Sequence, residues 1–310
     1  AIMALLSFGV IADVQYADED DAYNFAKTSK RYYRSTLDKL EKAVEEWNST
    51  DISFVLQVGD LIDGKCEKYS ERGLESILEK LKPLKTPLYH VIGNHELYNF
   101  GRQDLEKLLL PEPFYYEFSP CDGVRFVILN SFEDSVLWKN EKDSSEIHYQ
   151  LLEANNPNPV RSEGVDWSKG LVGLVERFVP YNGGVSKNQI TWMHNILEKS
   201  QKNNEIVFIS SHCPLQEGAS SNSTLAWNYE DVLKVIHKFS CVVCCIYGHD
   251  HIGGFCTDNE GVHHITLPSP LESTVDSNAY GIMDIYKDRC ELKGRGDVIS
   301  RILPYRERKQ

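Results

Sequence analysis

The sequence lacks the long hydrophobic run that a membrane-spanning helix requires. None of its apolar stretches reaches the roughly 18 residues that such a helix needs. The apolar segment 4–12 has no basic leader and runs directly into Asp13, so we interpret it as a first β-strand and not as a signal peptide. We therefore expect a protein that has no membrane partner and that works in the cytoplasm or the nucleus.

The sequence also lacks an excess of positive charge. Its 33 Lys and Arg residues are outnumbered by 46 Asp and Glu residues, which gives a formal net charge of −13 at pH 7. Binding along a nucleic-acid backbone needs clustered Lys and Arg that displace counterions, so this composition argues against an extended nucleic-acid partner. A small anionic substrate is compatible with the charge if metal ions supply a positive field at the site.

Repeats and low-complexity tracts are absent as well. With 41% hydrophobic and 25% charged residues, the 310 residues have an ordinary globular composition, and we expect them to form one domain. The eight cysteines are expected to be reduced, because no secretory signal is seen. Cys241 and Cys244 form a CxxC in an apolar run, but no second pair follows at zinc-site spacing, so we interpret them as buried thiols.

What the sequence does contain is a series of apolar runs that end at polar or glycine-containing turns. Strands that feed the loops of a site have this pattern. The predicted strands are 5–12, 54–58, 88–92, 206–210 and 241–247, with further candidates at 124–130 and 280–286.

Amphipathic helices are predicted between these strands. Two candidates carry an apolar face, formed by Leu37, Leu40, Val44 and Trp47 in the first and by Leu74, Ile77, Leu78 and Leu81 in the second. A third helix is predicted at 187–199, where Ser186 and Gln189 fit a capping box. The alternation of strands and helices predicts an α/β sandwich. The segment 134–184, rich in Asn, Pro and charged residues, is predicted to be an inserted loop or cap with at least one helical piece.

Residues that can bind metal follow each of the five main strands. The carboxyl ends of neighbouring strands meet at one edge of a sheet, so side chains far apart in sequence can converge there. A single Asp at a strand end is usually a turn former and a single His is weak evidence, but core packing does not explain five such segments. They are 13–15 (Asp-Val-Gln), 59–63 (Gly-Asp-Leu-Ile-Asp), 93–96 (Gly-Asn-His-Glu), 211–212 (Ser-His) and 248–251 (Gly-His-Asp-His).

The order of these segments resembles the calcineurin-like metallophosphoesterase superfamily, whose pattern is DxH, GDxxD, GNH with an acid, a lone His and GHxH. The resemblance runs from Asp13 to His251 and implies an α/β sandwich of two mixed β-sheets flanked by helices, with a two-metal site. It implies that one cation is held by Asp13, Asp60 and His251, and the other by Asp60, Asn94, His212 and His249. Asp60 would bridge the cations, and hydroxide would attack phosphorus in line.

The same resemblance assigns roles to two further residues. His95 matches the family histidine near the leaving group, where it donates a proton or stabilises charge. Asp63 would orient His95. The alternatives are a His95 that stabilises its loop and an Asp63 that caps a helix.

Gln15 departs from the superfamily pattern, because it replaces the histidine of DxH. An amide oxygen is a harder ligand than imidazole, so we expect a metal at ease with oxygen donors; Mn²⁺ is favoured, and Zn²⁺, Fe or Mg²⁺ are other possible occupants. Whether Gln15 ligates at all is left open. The DxQ motif, segment 12–18 and segment 93–100 together resemble the manganese-dependent ADP-ribose/CDP-alcohol diphosphatase branch.

The resemblance implies hydrolysis of the diphosphate linkage of ADP-ribose, CDP-alcohols and related conjugates to a nucleoside monophosphate and a phosphorylated product. Two alternatives stay open: a cyclic nucleotide phosphodiesterase or phosphomonoesterase on the same site, and a metal-dependent binding scaffold without activity. Phe25, with Tyr16 and Tyr23, is a candidate platform for a nucleobase, although loop packing also accounts for these aromatic residues. We expect a monomer, although no feature of the sequence specifies the oligomeric state.

Overall fold

The fold was analysed in a computed structural model that describes residues 3–111, 113–137 and 142–307. Its strands are β1 (Leu6–Ile11), β2 (Ala22–Tyr23), β3 (Lys30–Arg31), β4 (Phe54–Gln57), β5 (Leu88–His90), β6 (Tyr116–Cys121), β7 (Val124–Ile128), β8 (Ile206–Ser211), β9 (Val242–Tyr247), β10 (Gly254–Thr257), β11 (His263–Thr266), β12 (Ala279–Ile285), β13 (Arg289–Gly296) and β14 (Arg301–Pro304). Its helices are α1 (Ser35–Ser49), α2 (Ser70–Leu81), α3 (Asn94–Asn99), α4 (Arg102–Leu108), α5 (Lys142–Asn155), α6 (Lys187–Lys202) and α7 (Tyr229–Ile236).

Two six-stranded sheets form the body of the protein. The first has the strand order β14-β13-β12-β1-β4-β5, and the second has the order β10-β11-β9-β8-β7-β6. Both are mixed: β1, β4 and β5 run parallel in the first sheet, as do β7, β8, β9 and β11 in the second, while antiparallel strands complete each sheet. The predicted α/β sandwich of two mixed sheets is confirmed.

Aromatic side chains fill the space between the two sheets. Phe8 and Phe54 stack at 4.9 Å within the first sheet, and Phe126 and Phe208 stack at 5.1 Å within the second. Phe8 meets Phe126 edge to face across the sandwich at 5.1 Å. Such buried pairs stabilise beyond their buried area, so the two sheets are held at a fixed spacing.

The outer faces of the sheets are covered by the amphipathic helices. On α1 the side chains of Leu40, Val44 and Trp47 are buried, in the predicted stripe, while Leu37 is partly buried. Trp47 crosses the sheet closely enough that a Cβ at Gly9 would lie 2.6 Å from its Nε1 atom, so only glycine fits there. On α2 the residues Leu74, Ile77 and Leu81 are buried, and Leu78 packs against them.

Helix α6 begins where the sequence predicts, but only half of the predicted capping box is present. Ser186 Oγ accepts a hydrogen bond from the Gln189 backbone N–H at 3.1 Å. The Gln189 side chain does not return to Ser186, because it is buried and bonds the backbone of Asn130 on both its N–H and its C=O. Tertiary contacts therefore replace the second half of the box.

The segment 134–184 leaves and re-enters the sandwich at one point, since Asp134 and Gly184 form an antiparallel bridge. It contains α5 and a 3₁₀ turn at Gly173–Arg177, and Leu152, Val160 and Phe178 pack with Trp227 in a small separate cluster. Its interpretation as a cap stays a prediction. Within residues 3–111, 113–137 and 142–307, no helix combines the length and apolar character needed to cross a membrane.

Candidate metal centre

The loops after β1, β4, β8 and β9 are joined by backbone hydrogen bonds that extend the sheets. Asp13 N–H donates to Gly59 C=O at 3.0 Å, and Gly248 N–H donates to His212 C=O at 3.1 Å. Between the sheets, His212 Nε2 lies 3.1 Å from Asp60 Oδ2 and 3.8 Å from Asp13 Oδ1. The ends of strands from both sheets therefore meet at one centre.

The backbone at this centre is unusual. Among the described residues, seven that are not glycine have positive φ, and four of those are Asp13 (54°), Gln15 (45°), Asp60 (58°) and His249 (70°). Each such residue costs on the order of 1 kcal/mol or more, and clusters of them occur where function constrains the backbone. These four backbone conformations direct the side chains into the centre, whereas the extended backbone of a regular strand would direct them elsewhere.

Two glycines make room for the cluster. Gly59 has a φ of 97°, and a Cβ atom there would overlap the ring of His212. A Cβ atom at Gly93 would overlap the carboxylate of Asp60. Both positions exclude larger residues because the side chains of His212 and Asp60 pass directly over the backbone.

The three histidines of the cluster each use one ring nitrogen to bond a protein acceptor. His212 Nδ1 donates to Val58 C=O at 2.7 Å, His249 Nε2 to Asn182 Oδ1 at 2.6 Å, and His251 Nδ1 to Glu272 Oε1 at 2.8 Å. The second nitrogen of each ring is therefore the one that a metal would use; in His251 that atom, Nε2, is bonded by the Gln15 amide. Metal-binding histidines are characteristically held in this way.

One group of donors surrounds Asp13. His251 Nε2 lies 3.5 Å from Asp13 Oδ1, and the Gln15 amide nitrogen lies 2.8 Å from His251 Nε2 and 3.1 Å from Asp60 Oδ2. The Gln15 amide thus occupies the place where the superfamily pattern has a histidine. Its Oε1 atom is buried without a hydrogen-bond partner, and rotating the amide by half a turn exchanges that oxygen with the nitrogen.

A second group of donors is formed by Asp60, His212 and His249, whose side-chain ligand atoms lie within 4.8 Å of one another. Asn94 lines a cavity together with Asp60 and His249, and it donates its amide N–H to the Tyr98 hydroxyl at 3.1 Å. Asn94 Oδ1 and His212 Nε2 are buried and have no hydrogen-bond partner of acceptable geometry. Unsatisfied buried polar atoms are costly, so such a set indicates a missing partner.

The charges of the cluster favour cations. Burial opposes ionisation of Asp60, but the neighbouring histidines, His212 foremost, outweigh it and hold the pKa of Asp60 well below its ordinary value. Burial also opposes protonation of His212, yet Asp60 and Asp13 raise its pKa to about 10. The buried carboxylates Asp60 and Asp13 thus favour a positive charge on the His212 ring. Divalent cations would balance the same negative charge.

His95 lies beside the cluster with its tautomer fixed by the backbone. Its Nδ1 atom accepts a hydrogen bond from Gly64 N–H at 2.8 Å, so the neutral ring carries its proton on Nε2, which lies 4.0 Å from Asp60 Oδ2. Asp63 caps the 3₁₀ turn Gly64–Tyr69 by accepting from Lys65 N–H at 2.9 Å. Asp63 Oδ2 lies 3.5 Å from His95 Nδ1. The orienting hydrogen bond therefore comes from Gly64, while Asp63 holds that turn and places a negative charge beside the ring.

Three side chains that support the site received no role from the sequence: Glu96 and Asn182 are buried, and Glu272 is largely buried. Glu96 accepts from the N–H groups of Gly93, Asp60 and Leu61 at 2.8, 2.9 and 2.6 Å, which ties two ligand loops together. Asn182 and Glu272 are the acceptors for His249 and His251. The acid after GNH was a usable signal for Glu96, whereas no local pattern singles out Asn182 or Glu272.

A cavity of about 800 Å³ opens beside the centre. Phe25, 74% exposed, lines it from the turn between β2 and β3, and Trp167 and Tyr181 line it from the segment 134–184. Tyr16 is instead buried in the core, and Tyr23 is exposed without being among the lining residues. Of the three candidate aromatic residues, the structure therefore places only Phe25 at the cavity.

Comparison with known proteins identifies the class of this fold and site. The sequence profile of the calcineurin-like phosphoesterase family matches residues 6–253. The chain belongs to this family, and the predicted superfamily resemblance is confirmed.

Relatives within the family are close over nearly the full chain. A manganese-dependent ADP-ribose/CDP-alcohol diphosphatase from Homo sapiens is 40% identical, over 98% of this chain and 94% of that protein. The protein of the same name from Arabidopsis thaliana is 38% identical, over 94% of each chain. The crystal structure of a dimetal phosphatase from Danio rerio matches with a TM-score of 0.94 and 37% identity, over 98% of this chain and all of that one. The narrower predicted resemblance, to the diphosphatase branch, is confirmed as well.

Proposed function

We propose that this protein is a manganese-dependent diphosphatase that hydrolyses ADP-ribose, CDP-alcohols and related nucleoside diphosphate conjugates. The observation that carries the proposal is a set of buried ligand atoms without partners, on Gln15, Asn94 and His212, gathered at strand ends beside a cavity of about 800 Å³. The relatives named above, which share nearly the whole chain, supply the substrate class.

The residues fit two divalent cations. Asp13, Gln15 and His251 would hold one of them, and the other would be held by Asn94, His212 and His249, with Asp60 shared. When bound, the cations lower the pKa of a water molecule and neutralise charge on the phosphoryl oxygens. The mixture of carboxylate, amide and imidazole donors suits Mn²⁺.

His95 acts at the leaving group without binding metal. Gly64 N–H occupies Nδ1, so the neutral ring presents Nε2–H on the side of Asp60. We propose that this N–H donates a hydrogen bond to the oxygen that leaves phosphorus and stabilises the negative charge that develops there. Asp63 orients the ring indirectly, because it caps the turn that holds the Gly64 donor in place.

Substrate recognition uses the cavity walls. Phe25 offers an exposed ring at the tip of the β2–β3 hairpin, and we propose that it stacks on the nucleobase. The segment 134–184 acts as a cap, because Trp167 and Tyr181 form another part of the wall. We propose that the 310 residues form one domain and that the protein is a monomer; one chain provides every expected ligand, so the site needs no second copy. None of the eight cysteines, all of which lie in the described ranges, forms a disulfide, which suits a reducing compartment such as the cytoplasm or nucleus.

The activity is tested with purified protein loaded with Mn²⁺ and offered ADP-ribose, CDP-choline, cyclic AMP and a nitrophenyl phosphate. Phosphorus NMR identifies the products. We expect a nucleoside monophosphate and a phosphorylated partner from the two diphosphates, at rates above those for the other compounds. Faster cleavage of cyclic AMP than of ADP-ribose would overturn the diphosphatase proposal.

A further inference from the structure

Among the described residues that line the cavity, Arg31 is the only Lys or Arg. The other charged lining residues, apart from histidine, are the carboxylates Asp60, Asp166, Asp250 and Glu272. Among the charged groups of the described lining, this guanidinium is therefore the one that attracts an anionic substrate in addition to the expected cations, whereas the four carboxylates repel it.

Arg31 stands on the same hairpin as Phe25. It lies in β3, where it pairs with Ala22 of β2, and Phe25 lies in the turn between the two strands. Its Nε atom donates to Glu272 Oε1 at 3.0 Å, and that same oxygen accepts from His251 Nδ1 at 2.8 Å. Arg31 is thus linked to an expected metal ligand through one carboxylate and to Phe25 through the hairpin.

The guanidinium is both charged and accessible. Burial alone would lower the pKa of Arg31, but Glu272, Tyr33 and Asp63 outweigh it and raise that pKa. The side chain is 23% exposed, so a ligand in the cavity can reach it. An ion pair with Glu272 through Nε holds the planar group in place, which lowers the entropy lost on binding a ligand.

We propose that Arg31 binds the phosphoryl group of a diphosphate that is not held by the two cations, and so selects diphosphates over compounds with one phosphoryl group. The inference rests on the proposed function. A diphosphate whose base lies on Phe25 and whose scissile phosphoryl group lies on the cations carries its second phosphoryl group between the two. Arg31 is the one described cation there, and a guanidinium binds phosphate oxygens through two parallel N–H donors.

The test compares binding of ADP and AMP to Mn²⁺-loaded protein by isothermal titration calorimetry. Two variants change the guanidinium: Arg31→Gln removes its charge, and Arg31→Lys keeps the charge but lacks the two parallel N–H donors. Lys30→Gln is the matched control, because Lys30 is the adjacent residue of β3, is absent from the cavity lining and pairs with Asp21 at 3.5 Å. Manganese per chain is measured by mass spectrometry, and phosphorus NMR checks that ADP stays intact.

We expect Arg31→Gln to weaken ADP binding by about 10- to 100-fold, the range for a charged hydrogen-bond pair. The same variant should weaken AMP binding by a factor at least tenfold smaller. Arg31→Lys should have an ADP affinity between those of the unmodified protein and Arg31→Gln, and Lys30→Gln should change the affinity for neither ADP nor AMP by more than about twofold. Equal weakening of ADP and AMP, with loss of manganese, would show that Arg31 acts only by supporting Glu272 and would overturn the proposal. So would unchanged ADP binding. Because the readout is binding, this result is independent of whether ADP-ribose is hydrolysed.

Discussion

The Oδ1 atom of Asn182 accepts a hydrogen bond from His249 Nε2 at 2.6 Å. The side-chain amide of Asn182 cannot flip, because its N–H groups are also bonded. Asn182 Nδ2 donates to the carbonyls of Arg177 and Ser223 at 2.9 and 2.7 Å. The amide oxygen must therefore face His249, which leaves Nδ1 of that ring for a metal.

Asn182→Ala is expected to weaken manganese binding by about 10- to 100-fold, the usual cost of removing the partner of a metal-binding histidine. Calorimetric titration of metal-free protein with Mn²⁺ measures the change. Asn156→Ala is the matched control, because Asn156 is a buried amide that also donates to two carbonyls, of Trp167 and Phe178, and touches no expected ligand. Equal manganese affinity in both variants would contradict the assigned role.

His95→Ala should slow turnover of ADP-ribose by about 10²- to 10³-fold, because the hydrogen-bond donor to the leaving oxygen is lost while every expected metal donor is kept. Its manganese content should match that of the unmodified protein. Asp60→Asn should instead lose both manganese and turnover, since Asp60 is shared by the two groups of donors. The loss in His95→Ala should shrink for a nitrophenyl ester, whose leaving group carries negative charge without such a donor. A loss of the same size for both substrates would rule out a hydrogen bond from His95 to the leaving oxygen.

Gln15→His should change the metal preference more than it changes the fold. Imidazole is a softer donor than an amide oxygen, so the ratio of Zn²⁺- or Co²⁺-supported to Mn²⁺-supported activity should rise by about tenfold. Activity across a metal series, alongside the melting temperature, separates the two effects. Unchanged ratios in a variant that melts normally would show that Gln15 does not ligate.

His90 should make the stability of the fold fall in acid. Burial lowers the pKa of His90 to about 4 from an ordinary value of 6.5, so the unfolded chain binds a proton before the folded one does. The contribution to stability is complete above about pH 6.5, is lost progressively as the pH falls from 6.5 to 4, and levels off below 4, where the folded ring also binds a proton. The loss is at most about 3 kcal/mol, and it is smaller because the ring is only partly shielded from solvent.

His90→Gln keeps a side chain that can bond Gln57, which contacts His90 Nδ1 at 3.2 Å, and removes the titration. Urea unfolding between pH 4 and 7 should give a shallower dependence in this variant. Parallel curves for the two proteins would assign the acid sensitivity to other groups.

The sequence predicts those parts of the centre that a local residue pattern marks. Asp13, Asp60, His212 and His249 each follow an apolar strand, and strand ends converge by the geometry of parallel sheets. The sequence does not place Asn182 beside His249, because 67 residues separate them and no motif marks the amide. Nor does it show that Gly64 fixes the His95 tautomer, since a backbone donor has no residue signature.

Elsewhere, tertiary contacts override local signals. Tyr16 follows the first ligand loop in sequence, yet it is buried in the core and bridges to Ile62. Gln189 has the spacing of a capping residue, but the backbone of Asn130 takes up its side chain. Propensity acts over a few residues, so it cannot anticipate partners that folding brings from 59 residues away.

The bridge between Asp134 and Gly184 has a consequence for how this architecture diversifies. Because both ends of the segment are pinned at one point, its length can change at little cost, since loop-closure entropy grows only slowly with the number of residues. The segment contributes part of the cavity wall, whereas the expected metal ligands lie at the strand ends. Exchanging residues 146–176 between related chains is therefore a route to new substrate preferences that leaves the chemistry intact, provided that Asn182 keeps its place.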